Sequence, residues 1–324
     1  MKSKILIILP NWLGDAVMAT PAIEDLSNFY DDVEFTFLGS FVSIEALKHH
    51  PKCTNAIVDE TKKASSRLKA TYLLAKELSK HDVAITFRDQ IHSSLLLYFS
   101  KIPTTIARKS WHSTIFVKKA VALSREMHLV KQYQQLSHSV TNSSEVSNLK
   151  LYIKPHIYDN PTLGVNAGAT YGSAKRWDSK KFATVAQHFA PKYDIVIFGG
   201  PNEVEVSKEI EDVLKSNNIA NYINLAGKTT ISELCAYIGG LSLFATNDSG
   251  PMHIASAYQV PSVAIFGPTR DNETSQWKNK KSIIVKKDLQ CAPCMKRECP
   301  LKHHECMEKI LPFEVIKAIN SISH

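Results

Sequence analysis

Short, uninterrupted apolar runs alternate with stretches whose apolar positions recur every three to four residues, and this alternation governs nearly the whole chain. Residues 5–9, 33–38, 56–58, 83–87 and 105–107 have the length and β-branched content of parallel strands covered on both faces. Between them, Ala16, Ala19, Ile23 and Leu26 stand at helical spacing, and 43–49, 65–79 and 93–99 predict further helices. Strands and helices in alternation predict a parallel, doubly wound sheet. The regularity lapses over 108–150. There the sequence is basic (Arg108, Lys109, Lys118, Lys119, Arg125, Lys131) and reads either as a solvated face or as the lining of a groove for an anionic ligand.

The stretch KPHIYDNP at 154–161 has two prolines and no apolar period, which predicts a linker. The alternation then restarts. Strands are expected at 163–166, 195–198, 222–225, 243–245, 260–266 and 282–285, and helices at 179–189, 204–216, 231–238, 252–258 and 310–322. Two α/β domains of similar build are therefore expected in tandem, over 1–155 and 162–308, with a cleft between them.

Charge narrows the choice of partner. A formal net charge of +8 and a pI near 9.0 favour something acidic: nucleic acid, an anionic membrane surface or a phosphorylated substrate. The sequence carries no recognised DNA- or RNA-binding motif and no aromatic-basic interleaving, so nucleic acid is not expected. No apolar run reaches the roughly 18 residues of a membrane span. The apolar start MKSKILIILP is broken by Pro10, Asn11 and Asp15 before a signal-peptide core develops. A cytoplasmic protein with its six cysteines reduced is the expectation.

The candidate chemistry gathers where strands end and helices begin, which is where open α/β sheets bind ligands. In TNDSGPMHIASAY, Asp248, Ser249 and Gly250 lie between a strand and a helix, with His253 one turn further on. Two readings stand: Asp248 or Ser249 as an ordinary helix cap, or the whole turn as a phosphate site on helix N–H groups. GATYGSAK at 168–175 is a second glycine-rich turn after a strand. It lacks the lysine and hydroxyl spacing of a P-loop, but small residues and Lys175 still suit a phosphate. Lys175 and Arg176 read alternatively as surface charges. A purine would need the next crevice, near 199–203 and 229–230. Asp15, at the start of the first domain's first helix, is either favoured there by the helix dipole or is a carboxylate facing a cleft. Only Gly14 is present of a dinucleotide fingerprint. A departing nucleoside diphosphate opposite a lone carboxylate suits glycosyl transfer, with the carboxylate as general base. In the tail, Cys291, Cys294, Cys299 and Cys306 stand with His303 and His304. Their spacing is compact for zinc, and reduced thiols packed in a turn are the favoured reading over structural zinc.

Four motifs together resemble the ADP-heptose:lipopolysaccharide heptosyltransferases of glycosyltransferase family 9: ILPNWLGDAVMATPAI, GATYGSAKRW, TNDSGPMHIASAYQVPSVAIFGPT and CAPCMKRECPLKHHECMEKI. The cysteine-rich tail points to the type II members. The resemblance implies a GT-B fold of two Rossmann-like domains, with a C-terminal helix (309–324) packing back on the first domain. It implies inverting transfer of L-glycero-D-manno-heptose from ADP-heptose to the first heptose of the Kdo–lipid A inner core, at the inner membrane face. A relative using Kdo as acceptor (type I) or another nucleotide sugar is the alternative. By motif match, Asp15 is the implied base and Lys175 the implied catalytic cation. Thr170, Lys175, Asp248, Ser249, Gly250 and His253 would hold the diphosphate, with Glu203 and Thr230 on the adenine side. Asn11, Arg88, His92 and Arg108 mark the acceptor region. No cofactor is required.

Overall fold

The computed structural model describes residues 2–124 and 126–323, so Arg125 of the basic stretch lies outside the described residues. The chain divides into two compact units, Met1–Tyr152 and Ile153–His324. In the first, six parallel strands are β1 (Ser3–Ile8), β2 (Val33–Gly39), β3 (Cys53–Val58), β4 (Val83–Thr86), β5 (Thr104–Arg108) and β6 (Lys119–Val121), in the order β3-β2-β1-β4-β5-β6. In the second they are β7 (Thr162–Asn166), β8 (Asp194–Phe198), β9 (Tyr222–Asn224), β10 (Leu243–Asn247), β11 (Ser262–Ile265) and β12 (Ser282–Val285), in the order β12-β11-β10-β7-β8-β9. Counted from each unit's own first strand, the two orders are the same doubly wound topology. Its chain reversal falls between the first and fourth strands, and the crevice beyond their carboxyl ends is the natural ligand site.

The continuous apolar runs become the central strands because both faces of each sheet are covered. Ile5 to Ile8 and Ile195 to Phe198 are almost wholly buried. Three elements differ from expectation. The irregular basic stretch contains the helix Trp111–Phe116, β6 and the 13-residue helix Leu129–Thr141. Residues 154–161, expected as a linker, include anchors onto the second unit: His156 N–H donates to Ala236 O at 2.9 Å, and the Tyr158 hydroxyl donates to Tyr237 O at 3.1 Å. The terminal helix Pro312–Ile322 was expected to pack on the first domain. Its buried face, Val315, Ala318 and Ile319, is instead part of the second unit's core, beside Phe182, Val263 and Ile265. Its apolar stripe covers the sheet of its own unit, which would otherwise stand bare at that position.

Candidate active site

In the second unit the crevice at the chain reversal is flanked by the two turns singled out from sequence, one after β7 and one after β10. Asparagines at the strand ends tie them together. Asn247 donates from Nδ2 to Ala167 O at 2.7 Å, and its Oδ1 accepts from Trp177 N–H at 3.1 Å, so one side chain pins both ends of the loop that carries Lys175. Asn166 Nδ2 reaches Gly168 O at 3.2 Å and Ser249 Oγ at 3.3 Å. Inside this frame Lys175 Nζ lies 2.5 Å from Asp248 Oδ2, with side-chain exposures of 12% and 3%. The Thr269 hydroxyl donates to the same carboxylate oxygen at 2.6 Å. Lys175 also stands over the Tyr171 ring, 4.8 Å from its centroid.

The two readings of the 248–253 turn now separate. Ser249 is the N-cap of the helix Gly250–Ala257, but neither it nor Asp248 caps that helix through its side chain. Asp248 is committed to Lys175, and the Ser249 hydroxyl to Asn166. No side chain caps the helix; Pro251 has no N–H and the Met252 N–H donates to Ser249 O at 3.1 Å, which leaves the Gly250 N–H to an external acceptor. Gly250 opens the helix, and His253 is buried one turn in. Thr170 is exposed on the facing loop.

Glu203 belongs to the same crevice. It is 7% exposed, its Oε2 accepts the Gly200 N–H at 2.8 Å, and its Oε1 is buried without a hydrogen-bond partner. It lies so close over Gly168 that a Cβ there would stand 2.0 Å from Oε2. Gly168→Ala is therefore expected to push Glu203 aside and destabilise the protein by about 1.5 kcal/mol, the scale of a hydrogen bond to a charged group. Urea unfolding checks this, and unchanged stability would show that Glu203 moves without cost. Thr230 ends the neighbouring loop, whose Gly227 N–H donates to Gly199 O at 2.9 Å. It caps the helix Ile231–Gly239 in a reciprocal box with Glu233, and its hydroxyl is occupied there.

The first unit places an open depression of about 270 Å³ at its own chain reversal, between the loops after β1 and β4. Asn11, Asp15, Arg88 and Arg108 line it, with Trp12, Phe87 and Tyr133 as aromatic walls. Asp15 is half-buried in the first turn of the helix Leu13–Met18. Burial pushes the Tyr133 phenol well above its ordinary pKa; the Asp15 carboxylate adds to the rise and Arg108 opposes it. The phenol therefore stays protonated beside Asp15 at any physiological pH.

His92 does not line this depression, which revises its expected place among the acceptor contacts. Its ring nitrogens face Thr61 Oγ1 at 3.1 Å and Thr71 Oγ1 at 3.2 Å, and Nε2 is 3.6 Å from Asp59. Arg88 is on the wall, but it donates from Nη1 to Asp59 at 2.9 Å and from Nε to Leu9 O at 2.6 Å. Asp59, which sequence patterning did not single out, is the hub. Burial opposes its ionisation, but hydrogen bonds from His92 and Thr61 and the Arg88 charge outweigh that and hold the carboxyl well below its usual range. The ionised carboxylate thus stabilises the fold fully above the unfolded aspartate value of about 3.9, and loses that contribution as pH falls below it toward the depressed folded value. Asp59→Asn, which strands the buried Arg88 charge, is expected to cost about 3 kcal/mol at pH 7. Urea unfolding should show the gap from the parent narrowing in acid; a gap independent of pH would contradict the hub.

Cys291, Cys294, Cys299 and Cys306 line one small cavity of about 20 Å³ together with His303 and His304, and all are free thiols. Among the described residues, no three histidine, cysteine or carboxylate side chains are arranged to hold a metal ion. Also among the described residues, no helix is long and apolar enough to cross a membrane.

Comparison with known proteins places these sites in context. The profile of glycosyltransferase family 9 (heptosyltransferase) matches residues 71–305. Lipooligosaccharide heptosyltransferase 2 of Campylobacter jejuni is 41% identical, over 98% of this chain and 98% of that protein. The solved structure of Escherichia coli ADP-heptose LPS heptosyltransferase II has the same fold, with a TM-score of 0.82 at 23% identity, covering 100% of this chain and 98% of its own. An E. coli heptosyltransferase solved with ADP also aligns, with a TM-score of 0.80 at 15% identity over 98% of this chain and 99% of its own. By profile and by near-full-length identity, the chain belongs to glycosyltransferase family 9, the heptosyltransferases.

Proposed function

We propose that the protein transfers L-glycero-D-manno-heptose from ADP-heptose to the first heptose of a Kdo–lipid A inner core, with inversion at the anomeric carbon. The observation that carries this reading is the near-full-length match, at 41% identity, to a relative named lipooligosaccharide heptosyltransferase 2. The site chemistry agrees with it. In the second unit a cation, two hydroxyls and the Gly250 N–H at a helix start suit a diphosphate, and the partnerless Glu203 Oε1 suits a hydroxyl or amino donor of the nucleoside. The first unit offers an anionic base between a cationic and several aromatic walls, suited to a sugar hydroxyl on an acidic core.

In this mechanism Asp15 takes the proton of the acceptor hydroxyl as its oxygen bonds to the anomeric carbon. The bond from that carbon to the diphosphate breaks with its electron pair leaving on ADP. Lys175 and the Gly250 N–H at the helix start neutralise the charge that develops on the leaving oxygen. No cofactor takes part in this scheme. The net charge of +8 suits an acceptor rich in carboxylates and phosphates, met peripherally at the inner leaflet. Incubation with ADP-heptose and defined truncated lipooligosaccharides, read by mass, tests the reading. A core already bearing one heptose should gain one more. Extension only of a heptose-free Kdo acceptor would instead assign the type I reaction.

A further inference from the structure

The loop that carries Lys175 is held from a direction its own sheet does not explain. Ala174, the residue before Lys175, has both backbone groups engaged by the cysteine-rich segment: its N–H donates to Arg297 O at 3.0 Å, and its carbonyl lies 2.9 Å from His304 Nε2. Two neighbours repeat the contact. The Tyr171 hydroxyl donates to Met295 O at 2.9 Å, and Gly172 passes so near that a Cβ would stand 2.2 Å from Arg297 O. A carbonyl only accepts, so Nε2 of His304 carries the proton in this bond.

His304 is itself firmly placed. Its backbone is left-handed, with φ of 51°, and its N–H donates to Cys299 Sγ at 3.4 Å. Its carbonyl accepts from the N–H groups of Met307 and Glu308, at 3.0 Å each. Met307 and Cys306 are buried in the second unit's core. A continuous mechanical path therefore runs from that core through His304 to the peptide next to Lys175. We propose that His304 is a positioning residue for the donor diphosphate: it fixes the 172–176 backbone so that Lys175 keeps its place beside Asp248, and the cysteine-rich segment exists to present it. This rests on the assignment of that loop to the diphosphate.

The test compares the full-length protein with His304→Ala and His304→Gln. Gln can offer an N–H at similar reach and bears the same left-handed backbone cost. ADP and adenosine affinities are measured by calorimetry, and amide hydrogen exchange over 172–176 by mass spectrometry, with thermal unfolding alongside. His304→Ala is expected to weaken ADP about 3- to 10-fold, the worth of one hydrogen bond. Adenosine affinity should not change, exchange at 172–176 should quicken, and Gln should restore both ADP affinity and protection. An alanine variant with the parent's ADP-to-adenosine ratio and unchanged exchange would overturn the proposal, as would an equal loss of both ligands that Gln does not rescue. If the parent itself binds ADP no better than adenosine, the diphosphate assignment falls, and the exchange result then decides the brace by itself.

Discussion

Replacing Asp15 by asparagine is expected to lower the rate of heptose transfer by about 10²- to 10⁴-fold, the range a positioned general base supplies. The substitution keeps the side chain's size and its place in the first turn of Leu13–Met18, and removes its charge and its capacity to take a proton. Its surroundings should change little, because burial keeps the Tyr133 phenol beside it protonated with or without the carboxylate. ADP affinity should not move, since Asp15 lies in the first unit and the proposed diphosphate groups lie in the second. Single-turnover rates and a parallel ADP titration give the two readouts. Transfer at the parent rate would remove Asp15 from the chemistry, and a matching loss of ADP affinity would make it a binding residue.

The second large effect concerns Lys175. Lys175→Met is expected to weaken ADP by about 10- to 100-fold, the worth of a hydrogen bond to a charged group, about 1.5–3 kcal/mol. It should also destabilise the protein by about 3–5 kcal/mol, because the Asp248 carboxylate, 3% exposed, is left charged with Thr269 as its remaining close donor. These losses have different causes and can be separated. In the double variant Lys175→Met, Asp248→Asn the stranded charge is gone, so stability in urea should largely return while ADP affinity stays low. Recovery of both would mean that Lys175 matters only as the partner of Asp248.

Much of this site was legible because its residues sit where strands end. Asp15, Lys175 and Asp248 are charged residues in the loops and helix starts that follow apolar runs, and the doubly wound topology makes those positions a crevice. What escaped depends on partners distant in sequence. The hub at Asp59 is defined by Arg88 and His92, and the role of Asn247 by Ala167 and Trp177. Nothing local marks either residue beyond a polar side chain at a strand end. The helix Leu129–Thr141 escaped for another reason. It buries Gln132, Gln134 and Ser137 beside Val130, Tyr133 and Leu136, so its apolar stripe is interrupted by polar residues that read as solvent-facing. Asp25 makes that burial tolerable, accepting from Gln134 Nε2 at 3.1 Å and Ser137 Oγ at 2.9 Å. The terminal helix was visible as an amphipathic pattern, but a stripe does not say which sheet it covers.

That helix has a consequence for how the protein is made. The first unit's core draws on residues no later than Tyr152, so it can close before the second unit has been synthesised. The second unit must wait longer: its core includes Val315, Ala318 and Ile319, added after all six of its strands. Until they arrive, Val263 and Ile265 lack part of their cover, and the Lys175 loop rests on an unfinished foundation. During synthesis the first unit can therefore close before the second, whose core waits for the helix Pro312–Ile322.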